Sequence, residues 1–295
     1  MKRKSTLETA KFRQATRVGD LIYKILVTFG MVLFAFSFIF VLCWMMFSSF
    51  RKTTEFGKTP FAFWDLRGAS FANYLEVFKV KIQKSTIFDM LFNSVVLIVG
   101  CTGLQCIVPV ITGYVLARYK TKIDGLVMTL VIVSMVVPAI GSMTTTYRFI
   151  HKTLELGNSF LAIFLMNSGG LGFGMLLYKN YFASISWEYA ESAFIDGASN
   201  FKVFFSIMYP QAMPLVVSMA ILNVIGIWND YLTPYLYLPK RPTVAIGVYK
   251  ITEQANTNYP KAFAAMSFMT VFVLIIYACF SKTIMSSMSV GGLKG

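Results

Sequence analysis

From Met90 to Ala117 the chain carries no charged residue, and this run limits its possible folds more than any other feature. A helix needs roughly 20 residues to cross about 30 Å of hydrocarbon, and the run exceeds that length. Similar runs recur. Ile25 to Phe47 is uncharged, and Gly125 to Met143 is bounded by Asp124 and Arg148. Phe160 to Tyr178 is apolar and glycine-rich, Leu215 to Trp228 is apolar up to Asn229 and Asp230, and Ala262 to Phe280 ends before Lys282. Charged residues make up 14% of the chain, against about a quarter in a soluble domain. The expectation is an all-α polytopic membrane protein of about six transmembrane helices. The fifth run is short and reaches membrane thickness only by starting near Pro210 or continuing past Asp230 toward Leu238.

The basic residues Lys2, Arg3, Lys4, Lys11, Arg13 and Arg17 precede the first run. This is not the pattern of a cleaved leader, because the run is longer than the roughly 7–15 residues of a leader core and ends in Phe47-Ser48-Ser49-Phe50 without a small-residue cleavage site. It reads as an anchor. Lys and Arg divide nearly evenly between the two sides, but the dense N-terminal cluster and the tight Arg118–Lys122 turn favour the cytoplasm for both termini. The net charge of +14 is spread over loops on both sides, which suits anionic lipid better than nucleic acid. Cys43, Cys101, Cys106 and Cys279 all fall in apolar runs without metal-like spacing, and four free, buried thiols are expected.

The chain divides into a basic tail at 1–20, a first helix with a long outer loop at 21–87, a membrane core at 88–284 and a short tail at 285–295. A second outer loop between Asn229 and Lys261 holds Pro234, Pro239, Pro242 and Pro260 and should be irregular with one short helix. The most organised polar segment is Lys179 to Pro214. Ser186 can cap a first helix with Trp187, Ala190, Phe194 and Ala198 at helical spacing and Glu188 and Glu191 near its start. Gly197 permits a sharp turn. Ser199 or Asn200 can cap a second helix, in which Phe201, Phe204, Phe205 and Met208 form an apolar stripe before Pro210. Exposed apolar and acidic faces of this kind usually dock a partner.

These residues resemble the EAA loop of ABC-importer permeases. The loop, placed at 186–214, reads Glu191-Ser192-Ala193, three residues, Gly197, nine residues, Ile207, two residues, Pro210, with Asp196-Gly197-Ala198 at its centre. Ser192 replaces the usual alanine and Tyr209 stands where leucine is common. The chain is further similar to the second, maltose-type permease of the carbohydrate-uptake branch. Asn93-Ser94, Tyr114-Val-Leu-Ala-Arg118, Trp228-Asn229-Asp230-Tyr231 and Gly291-Gly292-Leu293-Lys294-Gly295 carry that likeness, with Gly292 in place of the more usual alanine.

The resemblance implies a bacterial or archaeal cell-membrane importer of two permeases, an ATPase dimer and an extracytoplasmic sugar-binding protein, working by alternating access. ATP and Mg would bind the ATPase, and this chain would be no enzyme. Glu191 would pair with a basic residue of the ATPase, Asp196 would cap or brace the turn, and Glu191, Ser192, Ala193, Asp196, Gly197, Ala198, Phe204, Ile207 and Pro210 would form the coupling set. The Phe201, Phe204 and Phe205 stripe would hold the loop to its own membrane helices.

Asn223, Trp228, Asn229, Asp230 and Tyr231 are candidates for the translocation path. Asp230 is either an intramembrane site residue or a solvated helix end. Asn223, Asn229, Asn167 and Gln105 either line a path or bond between helices. Gly169, Gly170, Gly172 and Gly174 mark either a broken helix or close packing. Trp228, Tyr231, Tyr235 and Tyr237 could stack on sugar, although interfacial belts also gather aromatics. His151 is the only histidine, so no histidine-based metal cluster or Ser-His-Asp triad is supported. Phe56-Gly57-Lys58-Thr59 ends like a phosphate loop, but Lys52 occupies the place of its first glycine. The rival reading, a self-contained secondary transporter or channel, would place charges deep in several helices, and the runs here are nearly charge-free.

Overall fold

The computed structural model of the chain describes residues 2–62, 64, 68–120, 122–136, 141–255 and 258–290, with side chains from residue 19 to residue 282. The tail signature at 291–295 lies outside the described residues. The elements in order are α1 (Lys2–Ser49), α2 (Thr53–Lys58), α3 (Ala72–Lys79), α4 (Ile87–Arg118), α5 (Asp124–Val136) and α6 (Ser142–Arg148). A π-helical turn (Phe149–Thr153), α7 (Phe160–Asn167), α8 (Phe173–Ser184), α9 (Glu188–Ile195) and α10 (Asn200–Val203) follow. A second π-helical turn (Phe204–Met208) then leads to α11 (Tyr209–Asn229), α12 (Leu232–Tyr237), α13 (Val244–Glu253) and α14 (Tyr259–Val290). The basic N-terminal segment is helical from Lys2 and continuous with the first span.

The chain is an all-α, multi-pass membrane protein. Among the described residues four helical stretches are long and apolar enough to cross a membrane: Gly19–Ser49, Ile87–Arg118, Asn200–Asn229 and Tyr259–Lys282. The third of these gains its length at the N-terminal end, through α10 and the π turn, while Asp230 adopts extended backbone and stops the helix. Two expected spans differ from their sequence reading. In the Gly125–Met143 run α5 ends at Val136, and α6 starts after Gly141, whose φ of +80° is left-handed. In the Phe160–Tyr178 run the helix breaks between Asn167 and Phe173.

That break follows from Ser168-Gly169-Gly170-Leu171-Gly172, a segment poor in helix formers. Free backbone groups at membrane depth must find partners within the protein, and α4 supplies them. Gln105 Nε2 donates to Asn167 O at 2.9 Å, and the Thr112 hydroxyl donates to Gly170 O at 2.7 Å. A Cβ on Gly170 would lie 2.9 Å from both Thr112 Cγ2 and Val108 Cγ1, so the segment is at once broken and closely packed.

The central element is α4, which starts with a reciprocal cap between Thr86 and Asp89 and contributes to three apolar clusters along its length. Toward its Ile87 end it packs Ile87 and Met90 with Trp228 and Val244. At mid-length Leu97 and Cys101 meet Ile163, Tyr237 and Leu238. Near Arg118, Val110 and Tyr114 join Tyr178, Phe182, Phe204 and Met208.

The loop between Asn229 and Lys261 is more ordered than its prolines suggest. It contains two helices, α12 and α13, and residues 242–247 are buried. Asn93 Nδ2 donates to Pro242 O at 2.9 Å and Val244 N donates to Ser94 Oγ at 3.0 Å. Prolines that cannot continue a helix are accommodated because α4 satisfies the backbone beside them. The long loop after α1 folds back onto the end of that helix. Arg51 is buried and donates to Thr59 O and Glu55 O, and Asn73 Nδ2 donates to Ser49 O and Arg51 O, closing the end of α1. All four cysteines are free, but only Cys101 is buried; Cys43 and Cys106 are half-buried and Cys279 is exposed. Exposed thiols on apolar helices face lipid or a partner, which sequence hydropathy cannot separate from a core.

Candidate functional site

The segment from Ile185 to Pro210 forms an elbow of two short helices at the Arg118 end of α4. Ser186 Oγ accepts from Glu188 N at 3.4 Å, and Glu188 and Glu191 occupy the first turn of α9, where carboxylates oppose the positive helix end. Gly197, at φ +79°, ends this helix. Its N–H donates to Phe194 O at 3.0 Å, and Ala198 N donates to Ala193 O at 2.9 Å, the pair of bonds that defines a Schellman stop. A side chain at Gly197 would meet no atom within 4 Å. The glycine is required by its backbone conformation alone. Ser199, not Asn200, caps α10, accepting from Lys202 N at 3.4 Å.

One face of the elbow is inward. Ala190, Ala193, Val203, Phe204 and Met208 are buried, with Trp187, Phe194, Ala198 and Ile207 packed against them. Phe204 lies 4.8 Å from the Tyr114 ring and 6.4 Å from Phe182. The other face carries Glu191, Ser192, Asp196 and Pro210, all exposed. The phenylalanine stripe needs correction: only Phe204 faces inward, while Phe201 is 78% and Phe205 51% exposed. Phe204 and Met208, four residues apart, share the inward face with Val203, whereas Phe201 and Phe205, also four apart, share the outward one. Ile195, 86% exposed beside Asp196, was missed by the sequence reading. Its signal was an isoleucine outside the Trp187, Ala190, Phe194 stripe.

The last turn of α4 holds this elbow. The Arg118 guanidinium donates from Nη2 to the carbonyls of Phe182 and Ile185 and lies 5.1 Å over the Trp187 ring. Tyr119 OH shares a hydrogen bond of 3.1 Å with Asn200 Oδ1.

The candidate path residues are clustered in sequence but face different surroundings. Asn223 is half-buried on α11 and Asn229 is exposed, its amide donating to Ile225 O at 2.8 Å. Trp228 is buried, stacked at 3.8 Å on Phe272, with Nε1 donating to Met269 O at 3.3 Å; it is turned into α14 rather than toward an open surface. Asp230 Oδ1 accepts from Thr233 N at 3.0 Å and so organises the start of α12. Tyr231 stacks on Tyr249 at 4.6 Å, with Tyr235 6.1 Å away on the same ring. Lys250 lies 5.3 Å from the Tyr235 ring, and its hydrogen bond with Glu253 at 2.7 Å raises its pKa above the ordinary lysine value. Tyr237 is buried against His151, which itself stacks on Tyr147 at 4.0 Å. Gln105 ties α4 to the broken helix through Asn167 O, whereas the Asn167 amide donates to Ile163 O at 3.0 Å within its own helix. Among the described residues no group of three or more His, Cys, Asp and Glu could hold a metal ion.

Residues 109–284 match the family described as binding-protein-dependent transport system inner membrane component. The chain is 26% identical over 268 residues to the diacetylchitobiose uptake system permease protein NgcG of Streptomyces coelicolor, covering 90% of this chain and 87% of that one. It is 28% identical to the melibiose/raffinose/stachyose import permease protein MelC of Bacillus subtilis, over 77% of this chain and 82% of the relative. The arabinooligosaccharides transport system permease protein AraQ of the same organism is 27% identical, with 93% and 97% covered. In fold, the chain superposes with a TM-score of 0.76 on a chain of a bacterial ABC transporter involved in the import of the acidic polysaccharide alginate, at 19% identity and with 90% and 97% covered. The chain belongs to the binding-protein-dependent transport system inner membrane component family, as a permease subunit of an ABC importer and a transport protein rather than an enzyme.

Proposed function

We propose that this permease carries carbohydrate and that the elbow at 186–214 is its coupling loop, receiving force from a separate ATPase dimer. The observation that carries the reading is the outward face of the elbow. Glu188, Glu191 and Asp196 stand exposed beside Ile195 and Phe201, on two helices whose relative angle is set by the Schellman stop at Gly197. Acidic and apolar groups exposed together on a stiff element suit a protein partner. Motion is delivered across such a contact only if the element has a defined geometry. ATP and Mg belong to the ATPase in this reading. Relatives named for diacetylchitobiose, melibiose/raffinose/stachyose and arabinooligosaccharide uptake support sugar as the solute class.

The assembly would contain a second related permease and an extracytoplasmic sugar-binding protein, in a bacterial or archaeal cell membrane. Six passages would arise from the four long helices together with the α5–α6 and α7–α8 pairs, leaving both termini cytoplasmic. Asn223, Asn229, Asp230 and Tyr231 would edge the path, with Trp228 supporting them from behind. The test is Gly197→Val in the complete importer reconstituted in vesicles. Valine at φ +79° is strained by about 1–2 kcal/mol, so the helices must reorient. The expected result is intact assembly with less solute moved per ATP and weaker stimulation of ATP hydrolysis by the binding protein. Unchanged coupling in that variant, or sugar entry through this subunit without any ATPase, would reject the assignment.

A further inference from the structure

Tyr114 to Tyr119, the end of α4 and its C-cap residue, lies in neither the elbow nor the path set, yet three of its side chains grip the elbow. We propose that Arg118 is a positioning residue that locks the joint between α8 and the elbow to α4, so that a displacement of the elbow reaches the central span instead of being absorbed at that joint. This rests on the coupling role assigned to the elbow.

The joint is short and soft. After α8 ends, Ile185 is extended at φ −76° and ψ 137°, and α9 begins only at Glu188. No helical hydrogen-bond ladder runs across an extended residue, and Phe182 O, near the end of α8, takes only the 3.3 Å capping bond from Ile185 N on the backbone side. Arg118 meets both needs at once. Its guanidinium donates to Phe182 O and Ile185 O, where a cation also complements the negative end of the helix. The flat face of the same group lies 5.1 Å over Trp187, the N-cap residue of α9. One planar cation thus touches the last turn of α8, the joint and the start of α9. Tyr119 adds a bond to Asn200 at the start of α10, and Tyr114 packs on Phe204, so both helices of the elbow are tied to one end of one span.

A lysine cannot reproduce this. Its ammonium could donate to both carbonyls, as the single Nη2 does here, but it is a compact, strongly hydrated charge without the flat face that lies on Trp187. A residue that only held the fold together would lower the yield of complex and leave the coupling of assembled complex alone.

The experiment uses the complete importer in proteoliposomes, carrying Arg118→Ala, Arg118→Lys or Trp187→Leu. The readout is the ratio of ATP hydrolysis with and without binding protein, per assembled complex. In R118A the stimulation should fall about fivefold or more. R118K should recover less than half of it, and W187L, which removes only the stacked face, should lose about twofold, within the range of a cation–π contact. Normal stimulation in assembled R118A overturns the proposal. If R118A does not assemble, normal stimulation in W187L overturns it, and full recovery in R118K overturns the argument from the flat guanidinium face. Gly197→Val, measured alongside, separates the two claims: normal coupling there defeats the elbow reading itself, whereas uncoupled G197V with normal R118A and W187L defeats only the role of Arg118.

Discussion

Helices α1 and α4 both carry apolar stretches long enough to cross a bilayer, yet they are used in opposite ways. None of the most apolar window of α1 is buried in the chain, against 22% of that of α4. The difference lies in small and polar residues. On α4, Asn93 and Ser94 hold the backbone at 242–244, Gln105 and Thr112 hold the broken helix, and Gly100 and Gly113 admit close neighbours. On α1, Gly30 has nothing within 4 Å, and Ser37 donates to its own Phe34 O at 2.7 Å. Lipid tails satisfy apolar side chains as well as leucine does, so apolarity puts a helix in the membrane while small and polar groups decide what it binds.

The strongest attempt to break this contrast is Gly113→Ala. The added Cβ would lie 2.7 Å from Tyr178 Cβ, 2.9 Å from Lys179 N and 3.0 Å from Met175 O. Two of those atoms are backbone, so α8 itself must move. Overpacking of this kind costs about 1–3 kcal/mol, and Gly113→Val should cost more. The unfolding midpoint of the detergent-purified subunit should drop in that order. An unchanged midpoint in both variants would mean that α4 and α8 are not in close contact.

A smaller loss is expected for Asn93→Leu, which removes the buried amide bonded to Pro242 O at 2.9 Å. Polar ties between membrane segments contribute about 0.6–1.7 kcal/mol. The specific signature is local: amide hydrogen exchange over 243–248 should quicken, because that backbone loses one of its two ties to α4. Uniform exchange across the chain would deny Asn93 its role as a latch for α13.

How much of this could be read from residues alone depends on which interaction sets each feature. The long spans were legible because apolar length is a one-dimensional property, and the Gly197 turn was legible because glycine between two capped helices has a local meaning. Phe201 and Phe205 were misfaced because which pair of phenylalanine positions turns inward is set by Tyr114 and Phe182, distant in sequence, against which Phe204 packs. The break at 168–172 left hydropathy unchanged, since glycine and serine interrupt a helix without adding charge, and its glycines offered it only as one of two readings. The Arg118 contact joins residues 64 to 67 positions apart, and no local pattern announces it. Burial of 242–247 escaped notice for the same reason, as its partner residues lie about 150 positions upstream.

The smallest expected effect sharpens the contrast from the side of α1. Phe34 and Phe38 form an edge-to-face pair at 4.8 Å on α1, and they are 67% and 58% exposed. Replacing both by leucine keeps the surface apolar and removes only the ring pair. The stability of the isolated subunit should change by less than about 0.5 kcal/mol for each substitution, as for sites without packing partners. Repeating the measurement on the complete importer makes the result discriminating. A drop only in the assembly would show that this face of α1 is spent on another subunit, whereas no drop in either leaves it to lipid. A drop in the isolated subunit as large as that of N93L would break the contrast, because exposed rings would then be holding the fold as firmly as a buried amide.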